Sequence, residues 1–322
     1  MMLSELNFNG LPNLIMLVGI PASGKSTLTK MLLEKGCEII SSDKIREELY
    51  PDVISLFKDK TKFKEVNAQV FEAVHERAIE GLKNGKSVVL DATNLSRKKR
   101  VKFLSSIKRI ECNRVCILMI TPVDTCLERN SKRTGSAFVN EEAMYNMLCS
   151  FECPHFCEGW DQIIPYATNE PYTFPMEEAK DFDQSNPHHT STLYDHLLRT
   201  QEFAIEKGYS KRLCEIALYH DIGKLYTKRF ENRKGEKTEI AHYLGHENYG
   251  AYLYLVQECC GKTLTKEDFC EVLYRATLIN LHMRPYHVWR DSPNAKLRDK
   301  ALLGEELFND ASLLSWADRH AH

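Results

Sequence analysis

The sequence predicts an α/β domain, a mostly parallel sheet with helices on both faces, followed by an all-helical domain. Three observations carry this prediction: short apolar runs alternating with helical spacing in the first part, 3.6-residue periodicity throughout the second, and a histidine distribution that divides the chain between them. Only His75 and His155 precede residue 180, whereas the other ten of the 12 histidines lie between His188 and His322. At 322 residues the chain has room for two domains of ordinary size, each with its own core.

The elements follow in order. Candidate strands are the short apolar runs Leu14–Val18, Glu38–Ile40, Val88–Leu90, Val115–Ile120 and Gln162–Pro165. Leu28 to Leu33 reads as a helix after the first strand, and Val66, Val70, Phe71, Val74, Ala78 and Leu82 recur at helical spacing between the second and third. From Asn169 the chain carries Pro171, Pro175 and Pro187 among polar residues, as a connector does. The expected boundaries are a first domain over 1–170, a linker over 171–187 and a second domain over 188–322. In that second domain Leu213, Ile216, Ala217 and His220 show the helical repeat.

Composition excludes several classes. Lys and Arg number 43 against 45 Asp and Glu, so the net charge of −2 excludes a protein held to nucleic acid or membrane by bulk charge. The longest apolar run, Leu14 to Ile20, is shorter than a membrane helix requires, and no Lys or Arg precedes Lys25 to form the charged start of a signal peptide. The expected location is the cytoplasm, with no membrane partner. The 11 cysteines scatter from Cys37 to Cys270 without paired spacing, which suits reduced thiols.

Gly19-Ile20-Pro21-Ala22-Ser23-Gly24-Lys25-Ser26-Thr27 satisfies the phosphate-loop pattern G-x-x-x-x-G-K-[ST] between a strand and a helix. Gly19, Ser23, Gly24, Lys25, Ser26 and Thr27 are therefore the expected nucleotide-binding residues. Lys25 would neutralise the β/γ oxygens and Ser26 would offer a magnesium ligand. Asp91, which closes the run Val88–Leu90, joins them as a further candidate. Asp43 and Arg46 place a carboxylate that can accept a hydroxyl proton beside a cation that can hold a substrate phosphate. A cationic run, Arg97 to Arg100, follows Asp91-Ala92-Thr93-Asn94-Leu95. Arg129 and Arg133, four apart, are expected on one helical face as a lid over the transferring phosphate. Each also has a structural reading: Asp43 as a helix cap, the run as a solvated face, the two arginines as surface charge.

The order of these motifs resembles the kinase domain of phage polynucleotide 5′-kinases over residues 12 to 168. Lys44 stands where the phage enzyme carries a further Asp, and Ala92 is inserted between Asp91 and Thr93. The resemblance implies ATP-dependent, magnesium-dependent transfer to a 5′-hydroxyl, with Asp43 as general base, Arg46 on the acceptor-side phosphate, and Arg129 and Arg133 on the donor phosphates.

His196, His220-Asp221, His246, His282 and Asp318 form a second constellation, suited to Mn, Fe, Ni, Co or Zn, in which Asp221 could bridge two ions. Their settings, Tyr219-His220-Asp221-Ile222-Gly223-Lys224 and Gly245-His246-Glu247-Asn248-Tyr249-Gly250-Ala251, resemble the HD phosphohydrolase superfamily, especially the HD domains of tRNA CCA-adding enzymes. That resemblance, over residues 188 to 322, implies that His196, His220, Asp221 and Asp318 hold one ion. It places Asp221, His246 and His282 around a second, with Lys224 on the substrate phosphate. His242 is an alternative to His246. Cys149, Cys153 and Cys157 with His155 read as reduced core thiols rather than a zinc clip, and Asp181 to Ser185 lacks the strand that an aspartyl-phosphatase motif needs.

Bacterial RNA-repair proteins join such domains in the reverse order. By that resemblance the expected function is healing of nucleic-acid ends, RNA favoured over DNA. One domain would phosphorylate a 5′-OH and the other would remove a 2′,3′-cyclic or terminal 2′/3′-phosphate, and, with no K-x-D-G motif in the chain, a separate ligase would seal. The alternative is a small-molecule, nucleoside-type kinase fused to a nucleotide phosphohydrolase.

Overall fold

Asn13–Val18 forms β1, and all six residues are buried. A strand covered on both faces reads as a continuous apolar run, and its place is the middle of a parallel sheet. The computed structural model describes residues 6, 10–186 and 191–321. His188, His189 and His322, counted above in the histidine-rich part, lie outside them.

The chain divides into two compact units, residues 1–144 with 158–168 and residues 145–157 with 169–322. In the first, β1 is followed by α1 (Lys25–Glu34), β2 (Glu38–Ser41), α2 (Ser42–Leu49), α3 (Val53–Lys58) and α4 (Lys60–Lys83). Then come β3 (Val88–Asp91), α5 (Arg97–Ser106), β4 (Asn113–Ile120), α6 (Val123–Ser131), α7 (Glu141–Leu148), which straddles the boundary at 144/145, and β5 (Gln162–Ala167). The five strands lie in the order β2-β3-β1-β4-β5, every neighbouring pair parallel. Each predicted strand is present, and Val66, Val70, Val74, Ala78 and Leu82 form the buried stripe of α4. A parallel sheet delivers the carboxyl ends of its strands to one edge; the phosphate loop and Asp43 follow such ends, and Asp91 is the last residue of β3.

The second unit holds α8 (Met176–Lys180), α9 (Leu193–Glu206), α10 (Lys211–Ala217) and α11 (Lys224–Thr227), then α12 (His246–Cys259), α13 (Lys266–Leu281), α14 (Pro293–Leu303) and α15 (Glu305–His320). Its helical character is as expected, but it is not all-helical. Arg229–Glu231 (β6) and Lys237–His242 (β7) pair as an antiparallel hairpin. The turn is closed by Asn232, whose Oδ1 accepts from the amides of Lys234 at 2.9 Å and Glu236 at 3.1 Å, with Gly235 at φ 78. Both strands are short and mostly exposed, so they carry no apolar alternation for a sequence reading to find.

Residues 145–157, placed by sequence in the first domain, pack in the second unit. Asn280 reaches across to them, donating from Nδ2 to the Phe151 carbonyl at 3.0 Å and accepting from the Cys153 amide. Asn248 Nδ2 donates to the Cys149 carbonyl at 2.7 Å. The expected linker also packs in that unit: Phe174 is buried and its amide donates to Gln257 Oε1 at 2.7 Å.

Candidate functional sites

The phosphate loop is held from beneath. Ala22 and Gly24 adopt positive φ of 62 and 98, curling the loop so that its amides turn inward. Gly19 is confined by packing, since a Cβ there would meet Met119 Cβ at 2.6 Å. Its amide donates to the Thr93 carbonyl at 3.0 Å. Ser23 is buried, its hydroxyl spent on the Ile20 carbonyl at 2.8 Å, so its side chain braces the loop. Ser26 and Thr27 lie exposed in the first turn of α1.

Lys25 Nζ folds over the loop and donates to the carbonyls of Gly19 at 2.9 Å and Ile20 at 2.7 Å. Burial lowers its pKa to about 8; Arg133 adds to that lowering, while the carboxylates of Asp91 and Asp43 oppose it. Asp91, Asp43 and Arg133 therefore act on the same ammonium group. The Asp91 carboxyl is itself pushed up by burial, against the pull of Lys25 and with the push of Asp43.

Asp43 is not the cap of α2. Ser41 holds that position, and Asp43 sits inside the first turn with its side chain 83% exposed. Its Oδ1 lies 2.5 Å from Arg46, whose guanidinium is largely buried, donates to Asn67 Oδ1 at 3.2 Å and lies over the Phe63 ring at 5.9 Å. Arg46 is thus fixed by α4 and in turn fixes Asp43, leaving the second carboxylate oxygen turned to solvent.

The lid expectation needs correction. α6 ends at Ser131, so Arg133 lies beyond it and does not share a helical face with Arg129. The exit is set by Asn130, whose Nδ2 donates to the Val139 carbonyl at 2.5 Å and whose Oδ1 accepts the Val139 amide at 3.2 Å, folding the following loop back. Arg133 bears electrostatically on Lys25, and Arg129 is exposed on α6.

The basic run is not a solvated face either. Lys98 and Lys99 are exposed, but Arg97 and Arg100 are buried against Glu158. Arg100 makes two 2.7 Å bonds to the Glu158 carboxylate and donates to the carbonyls of Asn94 and Leu95, both at 2.9 Å. Asn94, at φ 49, donates to the Leu17 carbonyl at 2.8 Å. The segment Asp91 to Leu95 is therefore clamped between β1 and α5. Sequence reasoning missed Glu158, which carries no local signal because Arg100, its bidentate partner, lies 58 residues away.

In the second unit six residues from separate elements converge. His196 comes from α9, His220 and Asp221 from the turn after α10, His246 from the first position of α12, His282 from the residue after α13, and Asp318 from α15. One donor atom each from His196, His220, Asp221 and Asp318 lies within 4.8 Å of the others, and the same holds for Asp221, His246 and His282. Asp221 divides its oxygens between the groups. Oδ2 is 3.2 Å from His196 Nε2, while Oδ1 is 2.9 Å from His246 Nε2 and 3.4 Å from His282 Nε2. Asp318 Oδ1 lies 3.1 Å from His196 Nε2 and 3.3 Å from His220 Nε2. His242, the alternative to His246, falls at the end of β7 and outside both groups.

The donor set fits divalent transition metals. His220, His246 and His282 each place Nδ1 at 2.6 to 2.7 Å from a backbone carbonyl three residues earlier, which fixes Nδ1 as the protonated nitrogen of the neutral ring and aims the Nε2 lone pair inward. His246 and His282 then bring two Nε2 atoms to 3.2 Å, an arrangement that calls for a proton or a cation between them. Burial would lower the His220 pKa, yet Asp221 and Asp318 outweigh it and push it up to about 10; His246 is raised by Asp221 in the same way. The carboxyls of Asp221 and Asp318, despite burial, are held well below the usual range by these imidazoles and, for Asp221, by Lys224.

Two glycines permit the convergence. A Cβ on Gly223 would stand 2.1 Å from the His246 carbonyl, and Gly250 faces Gly223 one turn further along α12. Lys224, expected on a substrate phosphate, is buried with Nζ 2.6 Å from Asp221 Oδ2 and 3.0 Å from Gln184 Oε1. Gln184, fully buried, was not legible from sequence, where it stood among the polar residues of the expected linker.

Comparisons with known proteins bear on the first unit. Residues 14–154 match the family model described as AAA domain. L-seryl-tRNA(Sec) kinase of Methanococcus maripaludis is 32% identical over 155 residues, 46% of this chain and 56% of that protein. The chain thus spans about half the length of this curated relative. Among solved structures, a sugar kinase from Janibacter sp. HTCC2649 aligns with a TM-score of 0.37 and 16% identity over 48% of this chain and 85% of that one. A chain of the Pnkp1/Rnl/Hen1 complex aligns with a TM-score of 0.32 and 23% identity over 42% of this chain and 45% of that one. The first unit is a P-loop domain of the kinase-like α/β class, and the second is a mainly helical unit. No helix among the described residues is long and apolar enough to cross a membrane.

Proposed function

We propose that the chain is a two-centre phosphate-handling enzyme, an ATP-dependent kinase for a hydroxyl acceptor followed by a metal-dependent phosphoesterase, with RNA ends as its substrate. The observation that carries the kinase reading is the pairing of Asp43 with a wedged Arg46 within the electrostatic reach of Lys25. A loop that only stored or switched a nucleotide would have no use for a solvent-facing carboxylate held there by arginine. Magnesium bound through Ser26 would supply charge neutralisation of the donor phosphates. Lys25 and Arg133 would bear on the transferring group, Asp43 would accept the hydroxyl proton, and Arg46 would orient both Asp43 and the acceptor. The relative whose name specifies a tRNA-borne acceptor supports an RNA-linked hydroxyl.

For the second centre the support is Asp221, one carboxylate shared by two groups of imidazoles. Metal ions held there would activate water for attack on a phosphoester. Lys224 would tune Asp221 rather than bind substrate, since its ammonium group is already engaged. A separate ligase would join the healed ends.

One observation favours the nucleoside-type alternative. Arg97 and Arg100, half of the basic run that recommended a polyanion, are turned inward. The deciding experiment is incubation with ATP, magnesium, manganese and an RNA oligomer bearing a 5′-OH and a 2′,3′-cyclic phosphate, resolving both ends, beside a panel of free nucleosides and nucleotides. Modification of both RNA ends is expected. Turnover confined to the small molecules would replace RNA with the alternative.

A further inference from the structure

Two of the elements that supply ligands to the second centre continue directly into an exposed aromatic and cationic surface. Beyond His282 the chain enters a π turn, Pro285–Trp289, which projects Tyr286 into solvent at 37% exposure. Arg319 follows Asp318 on α15, and its Cζ lies 5.5 Å from the Tyr286 ring centre. Arg290 Cζ lies 4.7 Å from the same centre. His287, next along the turn, is exposed and within electrostatic reach of His246, Glu247, Arg233 and Arg290. The surface therefore borders the metal-ligand cluster through sequence neighbours of two of its members.

Packing does not require this arrangement. Trp289 performs the apolar duty of the turn, buried and stacked on Phe308 at 4.3 Å. Tyr286 keeps partial exposure, with the His287 ring edge-on to it at 4.8 Å and the guanidinium groups of Arg290 and Arg319 over its ring. Among the described residues Arg319 forms no ion pair, and Arg290 pairs with its exposed neighbour Asp291, a contact of small energetic weight, and bonds the Tyr286 side chain. A half-exposed ring with two exposed guanidinium groups stacked over it presents planar groups on which a base can stack and positive charge for a phosphate backbone, the two components by which proteins hold single-stranded nucleic acid. A free nucleotide would call for an enclosed pocket, whereas this is an open face suited to a strand running past it.

We infer that Tyr286, flanked by Arg290 and Arg319, is the subsite that holds single-stranded RNA at the second centre, stacking the base next to the terminal phosphoester. This rests on the phosphoesterase reading above for its purpose, but its existence is tested independently. A 3′-phosphorylated RNA octamer with 5-iodouridine as its last base, irradiated with the full-length protein, should crosslink to the peptide containing Tyr286. By fluorescence anisotropy, Tyr286→Ala should weaken binding of the same octamer about tenfold, within the range of one base-aromatic stack. Tyr286→Phe should stay within about twofold, and Arg319→Ala should reduce the dependence of affinity on salt by about one counterion. Crosslinks that map only elsewhere, or an unchanged affinity in folded Tyr286→Ala, would overturn the subsite. Wild-type protein that hydrolyses bis-p-nitrophenyl phosphate without binding the octamer would overturn it while leaving the esterase. A Tyr286 crosslink in protein that hydrolyses no phosphoester would keep the subsite and sink the esterase.

Discussion

Lys25 shows how one residue reports the state of the nucleotide site. Its pKa of about 8, set first by burial, lies below the usual lysine value, so the free loop holds a partly deprotonated amine at mildly alkaline pH. Nucleotide phosphates favour the ammonium form. Nucleotide binding between about pH 8 and 10 should therefore take up a proton, and affinity should fall as pH rises through that window. Calorimetry in two buffers of different ionisation enthalpy measures the uptake; equal heats would show that Lys25 stays charged or does not meet the phosphates. His220 works in the opposite sense. Its pKa, about 10 despite burial, means that a metal must displace its proton at pH 7. Adding manganese or zinc to metal-free protein at pH 7 should release protons into a weak buffer, and Asp221→Ala should abolish the release. The same shift fixes a stability trend for the metal-free chain: pairing of His220 with the carboxylates contributes fully below about pH 6.5 and is lost as pH rises through about 10.

Among the elements, α5 best shows what sequence could and could not disclose. The strand ending at Asp91 and the helix carrying the four cations were legible because both are local patterns. The burial of Arg97 and Arg100 was not, since it depends on Glu158, a residue from a different part of the chain. Glu158→Ala would leave two guanidinium groups buried without their carboxylate. That class of change costs about 3–5 kcal/mol, so the first unit should lose stability on this scale in urea. A loss below about 1 kcal/mol would show that the clamp is dispensable. The hairpin of β6 and β7 escaped for a different reason: its strands are short and polar, with no periodicity to detect. The expected shared helical face of Arg129 and Arg133 is absent because α6 ends before Arg133, where Asn130 bonds Val139, a tertiary stop that helical spacing does not encode.

For the whole molecule, the parallel sheet and the two candidate residue clusters were readable because each rests on strong local signals: apolar runs, the glycine-rich loop, and histidines in distinctive settings. The division of the chain was less readable. Residues 145–157 return to the second unit through polar bonds from Asn248 and Asn280, and Phe151, fully buried, inserts there against Tyr252 at 5.2 Å. A fragment of 171–322 would lack this segment. It should unfold at lower denaturant than 145–322, by at least the roughly 3–5 kcal/mol that loss of one buried aromatic costs. Equal midpoints would mean that the segment is merely laid on the surface. The central claim is that the chain carries two separate phosphate chemistries, and it is tested most directly by following both ends of one RNA in three proteins. With 5′-OH, 2′,3′-cyclic-phosphate RNA, ATP, magnesium and manganese, wild type should alter both ends. Lys25→Ala should retain only the 3′-end reaction and Asp221→Ala only the 5′-end reaction. Loss of both reactions in either folded variant, or a 3′-end reaction that survives Asp221→Ala, would contradict the account.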